Sequence, residues 1–170
     1  IYIAVSFFRL KKGLRTAVLL RDNIFQSEKI SSPFVFGIIK PKIYLPFGIT
    51  ERSAESVILH EQAHISRRDY LWKPLGFLLL CVHWFNPLMW LAYVLFCRDI
   101  EFACDERAIG LLNTDKRADY SEALLNCSVG RHMLFAYPPA FGEVGVKSRV
   151  KSVLNYKKPA FWLAAAAVIA

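Results

Sequence analysis

Apolar and polar positions along the chain alternate in long blocks. Ile1 to Phe8 and Ala160 to Ala170 are almost wholly apolar, and each is too short to cross a bilayer by itself. Phe34 to Leu45 carries Val, Ile, Phe and Tyr broken by Gly37 and Pro41, which predicts one or two short strands with a turn. Thr50 offers an N-cap with Glu51 in the first turn, so a helix is predicted to about Arg68. Asn86-Pro87 supplies a cap and a first-turn proline for a second helix ending at Gly110. A third is predicted from about Asp115 to Val129, before Gly130. Pro138, Pro139, Gly142 and Gly145 make 131–145 a loop, followed by a basic helix at about 146–155. There is no internal repeat and no low-complexity tract.

Composition adds lipid to this picture. Hydrophobic residues make up 55% and charged residues 21%, with a mean hydropathy of +0.30, which is apolar for a soluble enzyme. The formal net charge of +8 suits anionic head groups. Direct nucleic-acid binding fits less well, because the basic residues flank apolar stretches and do not line one polar helix face. Cys81, Cys97, Cys104 and Cys127 form no CxxC pair and read as reduced, structural and cytosol-facing. Basic clusters lie on the inner side of both terminal runs: Arg9, Lys11, Lys12 and Arg15, then Lys151, Lys157 and Lys158. The positive-inside rule then makes 1–10 the end of one transmembrane helix, 159–170 the start of another, and 11–158 a cytoplasmic domain of a multi-pass membrane protein.

The chemistry concentrates in His60-Glu61-Gln62-Ala63-His64, an HExxH motif in a helical context. Residues four apart share a helix face, so both imidazoles can reach one Zn2+ ion, while Glu61, one position round, can take a proton from water. A catalytic zinc site usually has a third protein ligand. Glu101, in Glu101-Phe102-Ala103-Cys104-Asp105, is the candidate, and Asp105 on the same face can orient a histidine ring. The bland alternatives are an ordinary helix that happens to read HExxH and a surface salt bridge for Glu101. Asp99 and Glu106 read as solvated, His83 as a core residue, and His132 as a weak candidate for transition-state stabilisation.

Pro74 to Cys97 has no Asp, Glu, Lys or Arg and could span a bilayer once. Glu101 would then lie across the membrane from His60 and His64, and the three could not share a zinc. Asn86-Pro87 instead favours a reversal, so 71–97 is predicted to be an apolar helical hairpin, either buried in the protein or dipping into one leaflet with Trp84 and Trp90 near the interface.

The blocks Ser32-Pro33-Phe34, Pro41-Lys42-Ile43-Tyr44-Leu45-Pro46, Ile58 to His64 with Arg67-Arg68-Asp69, His83-Trp84-Phe85-Asn86-Pro87, Glu101 to Glu106, Ala140-Phe141-Gly142-Glu143 and Leu154 to Pro159 together resemble the BlaR/MecR family of integral-membrane zinc metallopeptidases. Gln62 departs mildly from the small or apolar residue often found there. The resemblance implies a mainly helical gluzincin-type domain with a small β element. It further implies an endopeptidase that relays an envelope signal, β-lactam in the best-known relatives, by proteolysis of a cytoplasmic repressor of the BlaI/MecI type, with self-cleavage in 131–145. A membrane quality-control or prenyl-protein peptidase is the alternative enzyme, and a zinc-stabilised, non-catalytic signalling module the alternative from another class. The oligomeric state is left open, a homodimer among the readings.

Overall fold

The computed structural model describes residues 13–129 and 144–156, and over these the chain is mainly helical with one small sheet. The expected transmembrane segments 1–10 and 159–170, and most of the 131–145 loop with His132, lie outside the described residues. Among the described residues, no helix is long and apolar enough to cross a membrane.

The sheet has four strands: β1 (Val18–Arg21), β2 (Ile24–Ser27), β3 (Phe34–Phe36) and β4 (Lys42–Pro46), in the order β1-β2-β4-β3. β2 and β4 pair in parallel and the outer pairs are antiparallel, so β1 and β3 form the edges. Sequence reasoning placed strands only within 34–45. The β1–β2 hairpin had a readable signal: Asp22-Asn23 joins two apolar runs, and Asp22 adopts the positive φ of 46° that such two-residue turns demand. Gly37 is required at the β3–β4 turn, where φ is +116° and a Cβ would stand 2.7 Å from the Lys40 carbonyl oxygen.

Five helices follow: α1 (Glu51–Ser66), α2 (Asp69–Val82), α3 (Pro87–Leu111), α4 (Arg117–Val129) and α5 (Val144–Leu154). Thr50 precedes α1 in extended conformation, but its hydroxyl donates to Ser53 Oγ (3.0 Å) and caps no backbone N–H. Asn86 does cap α3, its Oδ1 accepting from Leu88 N at 2.9 Å. Helix α1 is central. Its Val57 packs with Ile24, Ile43 and Leu45 of the sheet and Ala123 of α4, while its Ala63 packs with Ile100 and Cys104 of α3. On the other sheet face, Phe25 and Phe34 stack on Tyr44. Helix α5 closes the assembly, its Val153 buried with Ala108, Ile109 and Tyr120.

Between α1 and α2 the chain turns at Arg68, which holds a left-handed conformation (φ 60°, ψ 32°). That tight turn brings Asp69 back against His64. Helices α2 and α3 then form an antiparallel hairpin reversing at His83 to Asn86. Its limbs approach closely at Gly76, where a Cβ would lie 2.9 Å from the Phe96 ring. His83, read from sequence as a core residue, is exposed at this reversal, and Cys81 is also exposed.

Candidate metal centre

His60, Glu61 and His64 are 5%, 6% and 7% exposed on α1, and Glu101 faces the two histidines from α3. The His60 and His64 rings stand perpendicular, with their Nε2 atoms 3.2 Å apart. Glu101 Oε2 lies 3.5 Å from His60 Nε2, and Oε1 lies 3.6 Å from His64 Nε2. Donors held about 2.0–2.1 Å from a tetrahedral ion are about 3.3–3.4 Å from one another. The spacing and chemistry of these three donors therefore fit a divalent metal such as zinc. Such donors converge on one another at a cost unless a cation shares them.

The outer nitrogen of each ring is fixed by a carboxylate, which leaves the Nε2 lone pairs turned inward. His60 Nδ1 sits 3.1 Å from Asp105 Oδ1 and 2.9 Å from the Tyr120 hydroxyl, which itself donates to Asp105 at 2.8 Å. His64 Nδ1 lies 2.8 Å from Asp69 Oδ2. Cys104 adds a thiol 3.1 Å from the same Asp69 oxygen. His64, Asp69 and Cys104 are also close enough together to suggest a second metal group. In this group Asp69 Oδ2 is engaged by both the His64 ring and the Cys104 thiol, whose titration burial and the Asp69 carboxylate push upward.

Three cations balance this acidity. Arg149 of α5 donates from Nε and Nη2 to both oxygens of Asp105 (2.7 and 2.9 Å), and its Nη1 lies 2.9 Å from Glu101 Oε2. Lys73 of α2 donates to Glu101 Oε1 at 2.8 Å, and Arg67 stands 3.6 Å from Asp69. Burial would raise the carboxyl of Glu101, but Lys73, then the His60 hydrogen bond and Arg149, hold it well below the usual range. Asp105 is likewise lowered against its burial by Arg149 and His60. Burial opposes charge on His60, yet the hydrogen bonds of Asp105 and Glu101 outweigh it and raise the imidazole to about 9. A metal binding at Nε2 competes with that proton.

Glu61, one residue round the helix from His60, lines a small cavity with His60, Tyr120 and Arg149, and Pro33 at the start of edge strand β3 forms part of its wall. Asp99 and Glu106 are exposed. The structure thus brings His60, Glu61, His64, Glu101 and Asp105 into one place. It adds Arg149, Tyr120, Lys73 and the orienting role of Asp69, which sequence reasoning had not assigned. Asp69, five residues after His64, was within reach of a local argument. Arg149 was not, because it lies 89 residues from His60.

Residues 9–153 match the family model described as BlaR1 peptidase M56. The methicillin resistance mecR1 protein of Staphylococcus aureus is 29% identical over 138 residues, 79% of this chain and 24% of that protein. The regulatory protein BlaR1 of Bacillus licheniformis is 32% identical over 139 residues, 78% of this chain and 23% of that protein. The chain spans about a quarter of the length of the curated relatives it matches.

Proposed function

Because this chain belongs to the BlaR1 peptidase M56 family, we propose that it is a zinc-dependent endopeptidase in which His60, His64 and Glu101 hold the metal and Glu61 is the general base. The observation that carries this reading is the convergence of the two Nε2 atoms, 3.2 Å apart, with the Glu101 carboxylate, whose Oε2 and Oε1 lie 3.5 and 3.6 Å from them, beside a buried Glu61. Zinc, when bound, would supply Lewis acidity toward the scissile carbonyl and ease ionisation of water. Glu61 takes the proton of the attacking water and passes it to the amine nitrogen as the C–N bond breaks. Arg149, which lines the same cavity as Glu61, holds Asp105 and Glu101 in place through its three nitrogens. Asp105 and Asp69 hold the two imidazoles in the tautomer that keeps each Nε2 free. An extended peptide can add to the β3 edge, which begins at the cavity wall, and so enter the site as a strand.

The wider reading follows the relatives and the sequence. The domain is gluzincin-type, occupies 11–158 between transmembrane helices at 1–10 and 159–170, and faces the cytoplasm. Its substrate is a cytoplasmic repressor of the BlaI/MecI type, cleaved in response to an envelope signal, with self-cleavage in 131–145. The family match and the names of the relatives support this over a quality-control or prenyl-protein peptidase. Buried Glu61 beside the donors supports it over a non-catalytic module, which has no need of a general base.

The test measures zinc content and proteolysis together. Purified chain should hold one zinc. His60→Ala, His64→Ala and Glu101→Ala should each lose most of it, and Glu61→Gln should keep it while losing cleavage by about 100-fold or more. Full zinc retention in Glu101→Ala would remove Glu101 from the ligand set.

A further inference from the structure

Exposed apolar side chains concentrate on the α2–α3 hairpin. Leu78 and Val82 of α2, Trp84 and Phe85 at the reversal, and Leu88 and Leu91 of α3 are each between 56% and 71% exposed. All six lie toward the end of the hairpin away from Lys73 and Glu101. Patches of this kind mark a binding surface for protein or lipid. The hairpin itself distinguishes the two.

We propose that the α2–α3 hairpin inserts into one leaflet of a lipid bilayer, tip first, and so holds the metal centre at head-group depth. Three observations agree on lipid. First, several polar groups at the reversal are bonded from within the hairpin. His83 N donates to Leu79 O (3.0 Å), Asn86 N to His83 O (3.0 Å), Leu88 N to Asn86 Oδ1 (2.9 Å), and Trp90 Nε1 to the Trp84 carbonyl (2.8 Å). Bonds made within the segment are the kind that hydrocarbon demands, since no water is there to replace them.

Second, the limbs have the right length. Pro74 to Val82 and Pro87 to Leu95 each rise about 13 Å, against about 15 Å for half of a hydrocarbon core. Third, charge resumes at the same level on both limbs. Lys73 precedes one, Arg98 and Asp99 follow the other, and Arg67 and Arg68 stand at the entry to α2. Between Pro74 and Cys97 there is no Asp, Glu, Lys or Arg. Basic residues at the base match anionic head groups.

This orientation revises one expectation. Trp84 lies at the tip and therefore deep, and Trp72, half-exposed at the base of α2, is the interfacial tryptophan. Glu101, four residues beyond Cys97, stands about 6 Å further along α3 and so at the membrane surface. A peptide reaching the site is thereby met beside the head groups.

The unaltered full chain, reconstituted in vesicles of phosphatidylcholine and phosphatidylglycerol, can be photolabelled by lipids carrying a diazirine either near the head group or at the acyl-chain end, with adducts mapped by mass spectrometry. The acyl-end probe should label Trp84 to Leu88, and the head-group probe should label Trp72 and the residues around Arg98. Labelling of the whole hairpin by the head-group probe alone would mean that it lies flat, and would overturn insertion. No labelling of the hairpin by either probe would overturn it too, and would leave another part of the chain or a second copy as the cover. Glu61→Gln should give the same map as the parent, so the result stands apart from whether the chain is a peptidase.

Discussion

Helix α3 passes through two environments. From Pro87 to Leu95 it turns Leu88 and Leu91 outward and carries no charge. From Ile100 to Ile109 it buries Asp105 and Cys104 almost completely and sets Glu101 against two histidines, Lys73 and Arg149. Hydropathy read along the helix would reverse the two halves. On the first half only Tyr93 is buried, against Phe77 of α2, and no charge there requires a partner. The second is inside because each of its buried charges, Glu101 and Asp105, meets an opposite charge or a hydrogen bond, the condition under which buried ions persist.

The comparison breaks most visibly where a partner is removed from the charged half. Arg149→Met leaves Asp105 buried with only Tyr120 and His60, and should cost about 3–5 kcal/mol in urea unfolding followed by circular dichroism. A loss under about 1 kcal/mol would show that Tyr120 and His60 suffice. Asp69→Asn keeps the shape but frees the His64 ring from its anchoring charge. Metal affinity, measured by competition with a chelator, should fall about 10–100-fold. Unchanged affinity would reassign Asp69 to the α1–α2 turn alone.

On the apolar half, Gly76→Ala forces a methyl toward the Phe96 ring at 2.9 Å and should destabilise by about 1 kcal/mol, the low end of overpacking because a ring edge can shift. Leu78→Ala, on the exposed face, should change unfolding in detergent by no more than about 0.5 kcal/mol. The same change at Leu45, which is fully buried in the sheet, should cost about 2–5 kcal/mol. Equal costs at the two leucines would mean that the hairpin face is covered.

What could be read from sequence follows the range of the interactions. The α1 and α3 helices carry their signals locally, in spacing, in Asn86-Pro87 and in the motif at i and i+4. The hairpin was legible because a chemical constraint, three donors on one ion, forbade a single span. The β1–β2 strands are harder to read although Asp22-Asn23 marks their turn, because each runs for only four residues, the least over which alternation can register. Arg149, Tyr120 and Lys73 had no local signal at all. An arginine in a basic helix looks solvated until α5 is folded against α3, where its three nitrogens meet Asp105 and Glu101.

The position of Arg149 near the end of the described chain also orders the assembly of the molecule in time. His60 and His64 are neighbours as soon as α1 forms, and Glu101 and Asp105 join once α3 folds back. Arg149 is separated from Asp105 by 44 residues and from His60 by 89, so its contacts are among the last to close as the chain leaves the ribosome. A nascent chain that ends at α4 already carries all three metal donors and Glu61, yet its Asp105 still lacks a counter-cation. Completion of the candidate centre is thus tied to translation as far as α5.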